Sequence, residues 1–484
     1  MKQKILFLFL FSPLFFNGLF AQKETYNWFF GTNTGLDFKN TQDLNGVTKI
    51  PTYQSGPINT DEGCFSISDK DGNFLFASDG RTVYNKNKTL MVGGSGLLGH
   101  SSSAQSGIVI PVPESTTLFY IVTVSAMEES IRNGLNYSIV DISKQAGDGE
   151  VILKNQPLDI AGHLKNDMYE NLSVVKHNND KDYWLIHRAR RYFFVWKVTK
   201  DGFSTSQTFD TGVDQGVYPA GVHPGMGYIK FSPDGKKVIH MDARNSNTYI
   251  TLADFDNESG IVSDIKNINS NIPYLYGVEF SPNGEYVYIT THAGAGAYRG
   301  LYIKHIDDLV LPSVNLTRTV ANITNVQLAA DGRIYAIASQ NRSLWAILDP
   351  NEGGTQIVQF SNLFPSGRQA RQGLPPFITS FFSLKGDKSF CMKTSKDFTV
   401  FTSGNIGGTT VAYTQWNWGD GSTEEKVMGS GQQVKSHTYK RSGKFTITVS
   451  AYSNTDALLG SPQTMEVKVA SCIMPVNHNI SVTY

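Results

Sequence analysis

The stretch Trp416-Asn417-Trp418-Gly419-Asp420-Gly421 (WNWGDG) is followed by HTY at 437–439 and by GKFTITV at 443–449. Trp416 and Trp418 are two residues apart, so a strand points both rings to one face, and their large apolar area makes that the core face. The Gly-Asp-Gly stretch has turn chemistry, because Gly tolerates positive φ and Asp bonds its own backbone. The alternating segment 443–449 then predicts a half-buried strand. These residues together predict strands that bury one face and are joined by a Gly-rich turn.

Tyr439 stands just before a turn, where its hydroxyl is expected to hold a corner of the sandwich. Asp420 has two interpretations, a turn-forming residue or a calcium ligand, and its place in a Gly-rich turn favours the first. Cys391 and Cys472 bracket the segment. The sequence predicts a disulfide bond between them in an exported chain. The alternative is that all three cysteines of the chain, Cys64 included, are free and buried.

The order and spacing of WNWGDG, HTY and GKFTITV resemble the polycystic kidney disease (PKD) domain, an immunoglobulin-like β-sandwich of surface and secreted proteins. The resemblance covers the last fifth of the chain and places this domain at residues 386–472. It implies a fold rather than a reaction, because such modules usually hold other domains out from a surface.

The region 22–385 contains a repeat whose clearest copies turn at Asp234-Gly235, Asn283-Gly284 and Asp331-Gly332. The first residues of these turns are 49 and 48 residues apart, and each turn separates two strand-like runs. Asp-Gly and Asn-Gly turns between such runs predict β-hairpins. Hairpin units of about fifty residues predict a β-propeller.

Weaker copies of the repeat occupy residues 65–76, 108–122 and 172–186. A seventh unit is expected where residues 26–31 pair with residues 377–382, which removes the open edges of the ring. The sequence therefore predicts an all-β chain, a seven-bladed β-propeller followed by the PKD β-sandwich, with six or eight blades as alternatives. Its 45 Gly and 12% aromatic residues, with little helical periodicity, agree with this class.

Four further pieces carry a second resemblance: WFFGTNTGLDF at 28–38, TDEGC at 60–64, LGHSSS at 98–103 and GLPPF at 373–377. They resemble a group of secreted, gliding-motility-associated Bacteroidetes proteins in which a propeller precedes PKD modules. The resemblance spans nearly the whole chain and implies an exported protein. Only a tail, 473–484, follows the predicted sandwich, so the sorting segment frequent in that group is not expected here.

The chain begins with Lys2 and Lys4, a short apolar run and Ala21, which predicts a secretory signal peptide over residues 1–21. A retained membrane anchor is the alternative, although the run is short for a bilayer span. No other segment is predicted to be transmembrane. The 42 basic and 42 acidic residues leave no basic excess for nucleic acid. The expected location is secreted or on the cell surface.

Binding residues are expected on the loops at the propeller mouth. Arginine forks suit carboxylates and acidic sugars, and the candidates are Arg188, Arg190, Arg191, Tyr192, Arg368 and Arg371. The alternative interpretation of the two segments that hold these residues, 188–192 and 368–371, is an exposed, solvated turn. His100 and the serines after it are predicted to form a polar surface loop, because adjacent residues rarely reach nucleophile–base geometry.

No catalytic residue, metal ligand or cofactor is predicted. The sequence favours an exported, non-enzymatic binding or adhesion protein, whose propeller loops contact a glycan or surface protein and whose sandwich is a spacer. The alternative is a carbohydrate-active hydrolase or lyase, with the sandwich as an accessory module. An acid pair or a histidine–acid cluster in the mouth favours the enzyme.

Overall fold

The computed structural model describes residues 23–179, 181–216, 225–244, 246, 248–309, 313–314, 316–379, 385–386, 389–402, 405–406 and 409–471. The chain is all-β, with 51% strand and 5% helix, as predicted. The predicted signal peptide, 1–21, and tail, 473–484, lie outside the described residues. The helices among the described residues are short 3-10 segments: Lys23–Thr25, Gln145–Gly147, Lys165–Asp167, Ala293–Tyr298, Ile306–Asp308 and Pro350–Glu352.

Within the described residues, the first region forms six sheets of mainly antiparallel strands, one of them eight-stranded, and the chain traces seven successive meanders through them. The first meander contains β1 (Asn27–Phe30), β2 (Thr32–Leu44) and β3 (Val47–Asn59). The second contains β4 (Phe65–Ser68), β5 (Phe74–Ser78), β6 (Thr82–Tyr84) and β7 (Leu90–Ser95). The third contains β8 (Gly107–Pro111), β9 (Leu118–Val124), β10 (Leu135–Asp141) and β11 (Glu150–Pro157).

The later meanders follow the same plan. The fourth contains β12 (Ser173–Lys176), β13 (Tyr183–Ala189), β14 (Tyr192–Thr199), β15 (Gly202–Phe203) and β16 (Gln207–Asp210). The fifth contains β17 (Ile229–Phe231), β18 (Lys237–Met241), β19 (Tyr249–Phe255) and β20 (Val262–Ser270). The sixth contains β21 (Leu275–Phe280), β22 (Tyr286–Thr291), β23 (Gly300–His305) and β25 (Arg318–Ala321). Between β23 and β25 in the chain lies β24 (Ser313–Val314), which pairs with β20 of the fifth meander. The seventh contains β26 (Asn325–Leu328), β27 (Ile334–Ile337), β28 (Leu344–Ile347) and β29 (Ile357–Phe360).

The meanders pack side by side in chain order. Each first strand contacts the next first strand, from β1 through β4, β8, β12, β17 and β21 to β26. The first meander also packs against the seventh, since the Trp28 ring lies 6.2 Å from Tyr335 and 5.9 Å from Phe377. The Thr32 N–H donates to the Gln369 carbonyl at 3.0 Å in the same place. The two ends of the first region therefore meet.

The three predicted repeat hairpins are confirmed: β17 pairs with β18, β21 with β22, and β26 with β27. Gly235, Gly284 and Gly332 have φ of +70°, +77° and +78°, a region that other residues rarely enter. The Asp or Asn before each glycine accepts the N–H two residues later at 3.1 Å. The recurring Asp-Gly pair thus forms the same turn each time.

The expected pairing of residues 26–31 with 377–382 stays a prediction, because residues 380–382 lie outside the described residues. β1 pairs with β2, and Gly31, with a φ of +54°, lets the chain reverse between these two strands. In the described residues, the ends meet through side-chain packing and the Thr32–Gln369 hydrogen bond.

The second region begins with β30 (Lys385–Gly386), which pairs with β32 (Ser395–Thr402). Its strands are β31 (Ser389–Cys391), β32 (Ser395–Thr402), β33 (Asn405–Ile406), β34 (Thr409–Thr410), β35 (Tyr413–Asn417), β36 (Glu425–Met428), β37 (Gly431–Thr438), β38 (Gly443–Tyr452) and β39 (Leu458–Ala470). One sheet has the order β30-β32-β37, another the order β31-β39-β38-β35-β36, and β33 pairs with β34. The two larger sheets share a core that includes Trp416, Trp418 and Phe398.

The corner chemistry predicted for the second region is observed. The Tyr439 hydroxyl is buried and donates to the Trp418 carbonyl at 2.9 Å. Asp420 accepts from the Ser422 N–H at 3.0 Å and from its hydroxyl at 2.6 Å, which is turn-forming chemistry. Cys391 is disulfide-bonded and Cys64 is free and buried. Cys472 lies outside the described residues, so its pairing with Cys391 stays a prediction.

Candidate functional site

Antiparallel strands bring a set of loops together at one end of the first region. In a meander, the segment entering the first strand and the segment leaving the second strand lie at the same end of the sheet. These segments, with 371–374 bonded to them, are called the loop rim: residues 60–64, 98–106, 125–134, 166–172, 292–299 and 371–374. Backbone bonds join them, as the Glu62 N–H donates to Ser101 O at 3.0 Å and the Gln372 N–H to Asp61 O at 2.7 Å.

Glu62 is a buried carboxyl on the loop rim, with 2% of the residue exposed. Its Oε1 accepts from Gln372 Nε2 at 3.1 Å and lies 3.4 Å from His292 Nε2. Its Oε2 is buried with no hydrogen-bond partner. Burial, followed by the negative charge of Glu128, raises the pKa of Glu62 to about 8, while the Tyr276 hydroxyl acts in the opposite direction. Glu62 is therefore mainly a neutral acid at pH 7.

His292 follows β22 and covers Glu62 from the solvent side, with 24% of its side chain exposed. Its Nδ1 accepts from the Gly294 N–H at 3.0 Å, so in the neutral ring the proton is on Nε2, which faces Glu62. Burial lowers the pKa of His292 to about 4. The close His292–Glu62 contact is thus a meeting of two neutral groups at pH 7 rather than an ion pair.

Glu170 is the second buried carboxyl of the rim. Its Oε2 accepts from the Ala104 N–H at 2.9 Å, and its Oε1 accepts from the Met127 N–H. Burial, and then the charge of Glu62, raises the pKa of Glu170 well above its usual range, while the two backbone donors oppose that rise. The negative charges of Glu62 and Glu170 therefore disfavour each other.

Tyr276 completes the cluster from the first strand of the sixth meander. Its hydroxyl is buried and interacts with the Glu62 carboxyl through a side-chain hydrogen bond, although neither Tyr276 Oη nor Glu62 Oε2 has a partner at good hydrogen-bond geometry. Burial, followed by the charge of Glu62, raises its pKa. Its ring lies 5.4 Å from the His292 ring and 5.2 Å from the Tyr228 ring. The Tyr228 hydroxyl accepts from Asn325 Nδ2 at 2.7 Å, so the neighbouring tyrosine is satisfied and Tyr276 is not.

Ser103 and Ser106 add two more buried hydroxyls without partners. They were expected on a polar surface loop, but both are fully buried. Ser106 packs so tightly on Gly63 that a Cβ there would lie 2.5 Å from Ser106 Oγ. Leaving a buried polar group unbonded costs about 1–3 kcal/mol. With Glu62 Oε2 and the Tyr276 hydroxyl, the two serine hydroxyls are four buried polar atoms without a partner at good hydrogen-bond geometry.

A second buried polar network lies on the first strands themselves. Lys230 Nζ lies 2.9 Å from Glu279 Oε2 and 2.9 Å from Gln327 Oε1. These residues precede Phe231, Phe280 and Leu328, so they occupy one position in three repeats. Glu279 also accepts from the Leu328 N–H at 3.1 Å. The contacts neutralise this network internally, and we assign it a structural role.

Arg188, predicted to face a ligand from an exposed loop, is fully buried. Its guanidinium donates to Thr211 Oγ1 at 2.8 Å, to Val213 O at 3.0 Å and to Arg190 O. Burial lowers its pKa to about 10, against the opposing effect of Tyr169 and nearby acids. The side chain therefore ties its own hairpin to the segment after β16. The sequence pattern did not predict the burial of Arg188, because it does not show which side of a turn faces the core.

The neighbouring candidates lie nearer the surface. Arg190 pairs with Asp214 at 2.7 Å, and Arg191 pairs with Asp210 at 2.6 Å. Tyr192 is partly buried, with its ring 4.9 Å from the His163 ring. Both arginine forks thus already contact a carboxylate of the same meander.

Arg371 is the predicted residue that lies next to the acid cluster. It pairs with Asp61 at 3.1 Å and contacts Thr32 Oγ1 at 3.3 Å, and its chain neighbour Gln372 bonds Glu62. Arg368 is partly buried, and its N–H donates to Pro365 O at 3.0 Å. The structure thus brings Arg371 to the loop rim, where Arg190 also pairs with Asp167 at 3.6 Å, while a ligand role for any of the six residues stays a prediction.

In the described part of the chain, no group of three or more His, Cys, Asp or Glu is placed to hold a metal ion. No helix among the described residues is long and apolar enough to cross a membrane.

No protein-family model matches the sequence, and no curated protein matches it. Solved structures that it resembles include the PKD domain of an M14-like peptidase from a Thermoplasmatales archaeon, at 22% identity, TM-score 0.17, 18% of this chain and 92% of that one. The periplasmic gluconolactonase of Pseudomonas aeruginosa is similar at 12% identity, TM-score 0.36, 80% of this chain and 94% of that one. Hydrazine synthase of Kuenenia stuttgartiensis is similar at 11% identity and TM-score 0.36, and the match covers 72% of this chain and 99% of that one. All three TM-scores are below 0.5, so we argue function from contacts within this chain.

The central residues of the site were missed as site residues. Glu62 and Glu170 come from two different meanders and Tyr276 and His292 from a third, and no local pattern connects the three segments. A signal was nevertheless present, because the pieces at 60–64, 98–103 and 373–377 that carry the family resemblance all lie on the loop rim.

Proposed function

We propose that this chain is an exported binding protein made of a seven-bladed β-propeller, 22–385, and a PKD-like sandwich, 386–472, that acts as a spacer. The loop rim of the propeller would contact a glycan or a surface protein. The order of contacts among the seven first strands supports the propeller. The packing of Trp28 on Phe377 supports its closure.

The observation that carries the binding role is the group of buried polar atoms at this end that have no hydrogen-bond partner at good geometry: Glu62 Oε2, Ser103 Oγ and Ser106 Oγ on the loop rim, and Tyr276 Oη on β21. Buried polar atoms in folded proteins are normally hydrogen-bonded, and those that are not often mark a place for water, an ion or a ligand. A binding surface built around such a cluster accounts for its position at the loop end.

The test is a glycan array probed with the mature chain, beginning at residue 22, together with hydrolysis assays on every bound glycan. Binding without product release is the expected result. Product release would overturn the non-enzymatic role. Absence of any bound glycan, combined with no surface protein recovered by cross-linking on intact cells of the source organism, would overturn the binding role altogether.

The second candidate is a carbohydrate-active hydrolase, and a specific observation favours it. Glu62 and Glu170 are buried carboxyls, each with a raised pKa, and Glu62 stays protonated near neutral pH. A neutral carboxylic acid suits a general acid that protonates a leaving oxygen. The hydrolase would lose turnover in Glu62→Gln while keeping substrate binding, whereas a binding protein has no turnover to lose.

A further inference from the structure

We propose that Lys230 and Gln327 form an intramolecular isopeptide bond, with Glu279 as the general base, so that the first strands of the fifth and seventh meanders become covalently joined. The three side chains belong to the buried polar network on β17, β21 and β26. The inference goes beyond the structural role assigned to that network, and it is independent of any ligand of the loop rim.

The reacting groups meet in a part of the protein that excludes water. The Lys230 side chain is 3% exposed and the Glu279 side chain 2%, and Gln327 is 1% exposed. Lys230 Nζ lies 2.9 Å from Gln327 Oε1. The amide carbon is one C=O bond of about 1.2 Å further, so the amine nitrogen is within about 4 Å of the atom that it attacks. Holding two reactants together in this way raises their effective concentration by several orders of magnitude.

Hydrogen bonds orient both groups that contact the amine. Gln327 Nε2 donates to Leu328 O at 2.9 Å, so the amide presents its oxygen to Lys230. Glu279 Oε1 accepts from the Phe280 N–H at 3.0 Å, and Oε2 accepts from the Leu328 N–H at 3.1 Å. Oε2 also lies 2.9 Å from Lys230 Nζ. A fixed carboxylate is therefore in hydrogen-bond contact with the nitrogen from which it takes a proton.

The atoms of the reaction balance without an added reagent. Glu279 takes one proton from the Lys230 ammonium, and the free amine attacks the amide carbon of Gln327. The new bond joins that carbon to Nζ, the bond from the carbon to Nε2 breaks, and Nε2 leaves as ammonia with a second proton that came from Nζ. The third proton stays on the new amide nitrogen. Glu279 ends as a neutral acid.

The charges of the network favour the product. The Lys230–Glu279 pair holds two ions away from water, and burying ions is costly even when they are paired. The product replaces them with an amide and a protonated carboxyl, which are both uncharged, and the loss of ammonia makes the step irreversible. Lys230 and Gln327 are 97 positions apart in the chain. The bond therefore also restricts the unfolded chain across three meanders.

The test is peptide mapping by mass spectrometry of the full mature chain, beginning at residue 22, after purification and again after prolonged incubation at neutral pH. Trypsin should leave Lys230 uncut, and peptide 201–236 should be recovered joined to peptide 319–333, with a mass lower than their sum by one ammonia. The mass of the whole chain is not enough, because an N-terminal Gln22 can lose ammonia by cyclising.

Two results of the mapping would overturn the inference. One is recovery of 201–230 and 319–333 as separate, unmodified peptides in both samples. The other is a bond from Lys230 to Glu279, formed with loss of water instead of ammonia. A joined fraction that increases during incubation would support spontaneous formation of the bond in the folded chain.

Variants assign the roles of the three residues. Lys230→Arg and Gln327→Met should abolish the bond, because each removes one of its two partners. Glu279→Gln keeps the shape of the side chain without the base, and should slow bond formation by about 100-fold or more. Formation at the wild-type rate in Glu279→Gln would overturn the role of Glu279. Lys237→Arg is the matched control, because this exposed lysine of the same hairpin pairs with Asp254 at 2.7 Å, and it should form the bond like wild type. The wild-type mapping needs no variant, so it decides the inference even where a variant does not fold.

Discussion

Asp420 with His437 in the sandwich, and Glu62 with His292 on the loop rim, are built from the same chemical groups but differ in their hydrogen bonding. Asp420 lies 2.9 Å from His437 Nε2, both its oxygens are bonded, and His437 stacks on Trp418 at 4.4 Å. Glu62 lies 3.4 Å from His292, and one of its oxygens has no partner. The first pair fastens a corner, whereas the second leaves bonding capacity unused.

The pKa values of the two carboxyls differ in the same way as their hydrogen bonding. Burial alone would raise the pKa of Asp420, but hydrogen bonds from Ser422 and His437 outweigh burial and lower it to about 2. At Glu62, burial and the nearby charge of Glu128 dominate and raise the pKa to about 8. Satisfied acid–histidine pairs stabilise structure, and unsatisfied ones are the better candidates for function.

The largest expected effect tests whether the sandwich pair is part of the core. Trp418→Ala removes a buried ring that packs on Trp416, Phe398 and His437, and should lower the free energy of unfolding of the sandwich by about 3–5 kcal/mol. Hydrogen exchange of the β38 peptides in the full chain measures it. Protection in β13 should not change, and an unchanged β38 would contradict the assigned role of the ring.

The next effect concerns the acid of the satisfied pair. Asp420→Asn removes the charge that His437 and Ser422 bind, and should cost about 1–3 kcal/mol in the same exchange measurement. The folded pKa is below the ordinary 3.8, so this stability is present above that pH and is lost as pH falls towards 2. Calorimetry from pH 5 to pH 2 should show a smaller loss in Asp420→Asn than in wild type. Equal losses would mean that Asp420 does not titrate with folding.

The fold was far easier to predict from the sequence than the site. Trp416, Trp418 and the Asp-Gly turns act through their immediate neighbours, so their local pattern was enough to predict strands and hairpins. Lys230 and Glu279 meet only because one repeat position recurs on adjacent first strands. Glu62 and His292 are 230 positions apart in the chain. Their contact depends on how the ends of the first region meet, and local residue spacing does not encode that.

The third expected effect is a loss of stability as pH rises, whereas the Asp420 contribution is lost as pH falls. The carboxyl of Glu62 has an ordinary pKa of 4.5 when unfolded and about 8 when folded, so stability falls as pH rises between these values and then levels off. Gln cannot ionise, and Glu62→Gln should therefore be more stable than wild type above pH 8. Calorimetry from pH 5 to pH 9 measures the difference, with Glu129→Gln as the control at a more exposed rim carboxyl. A variant less stable than wild type at pH 9 would show that the Glu62 carboxylate is favourably bound.

The smallest effect compares two buried tyrosine hydroxyls that differ only in having a partner. Tyr439→Phe removes a hydrogen bond to Trp418 O and should lower the stability of the sandwich by about 1 kcal/mol. Tyr276→Phe removes a hydroxyl whose contact with the Glu62 carboxyl has poor hydrogen-bond geometry, and should change the stability of the first region by less than Tyr439→Phe changes that of the sandwich. Hydrogen exchange of the β38 and β21 peptides measures both. A loss of 1 kcal/mol in Tyr276→Phe would mean that the hydroxyl bonds an ordered water in solution, and the cluster would then be a hydrated structural site rather than an open one.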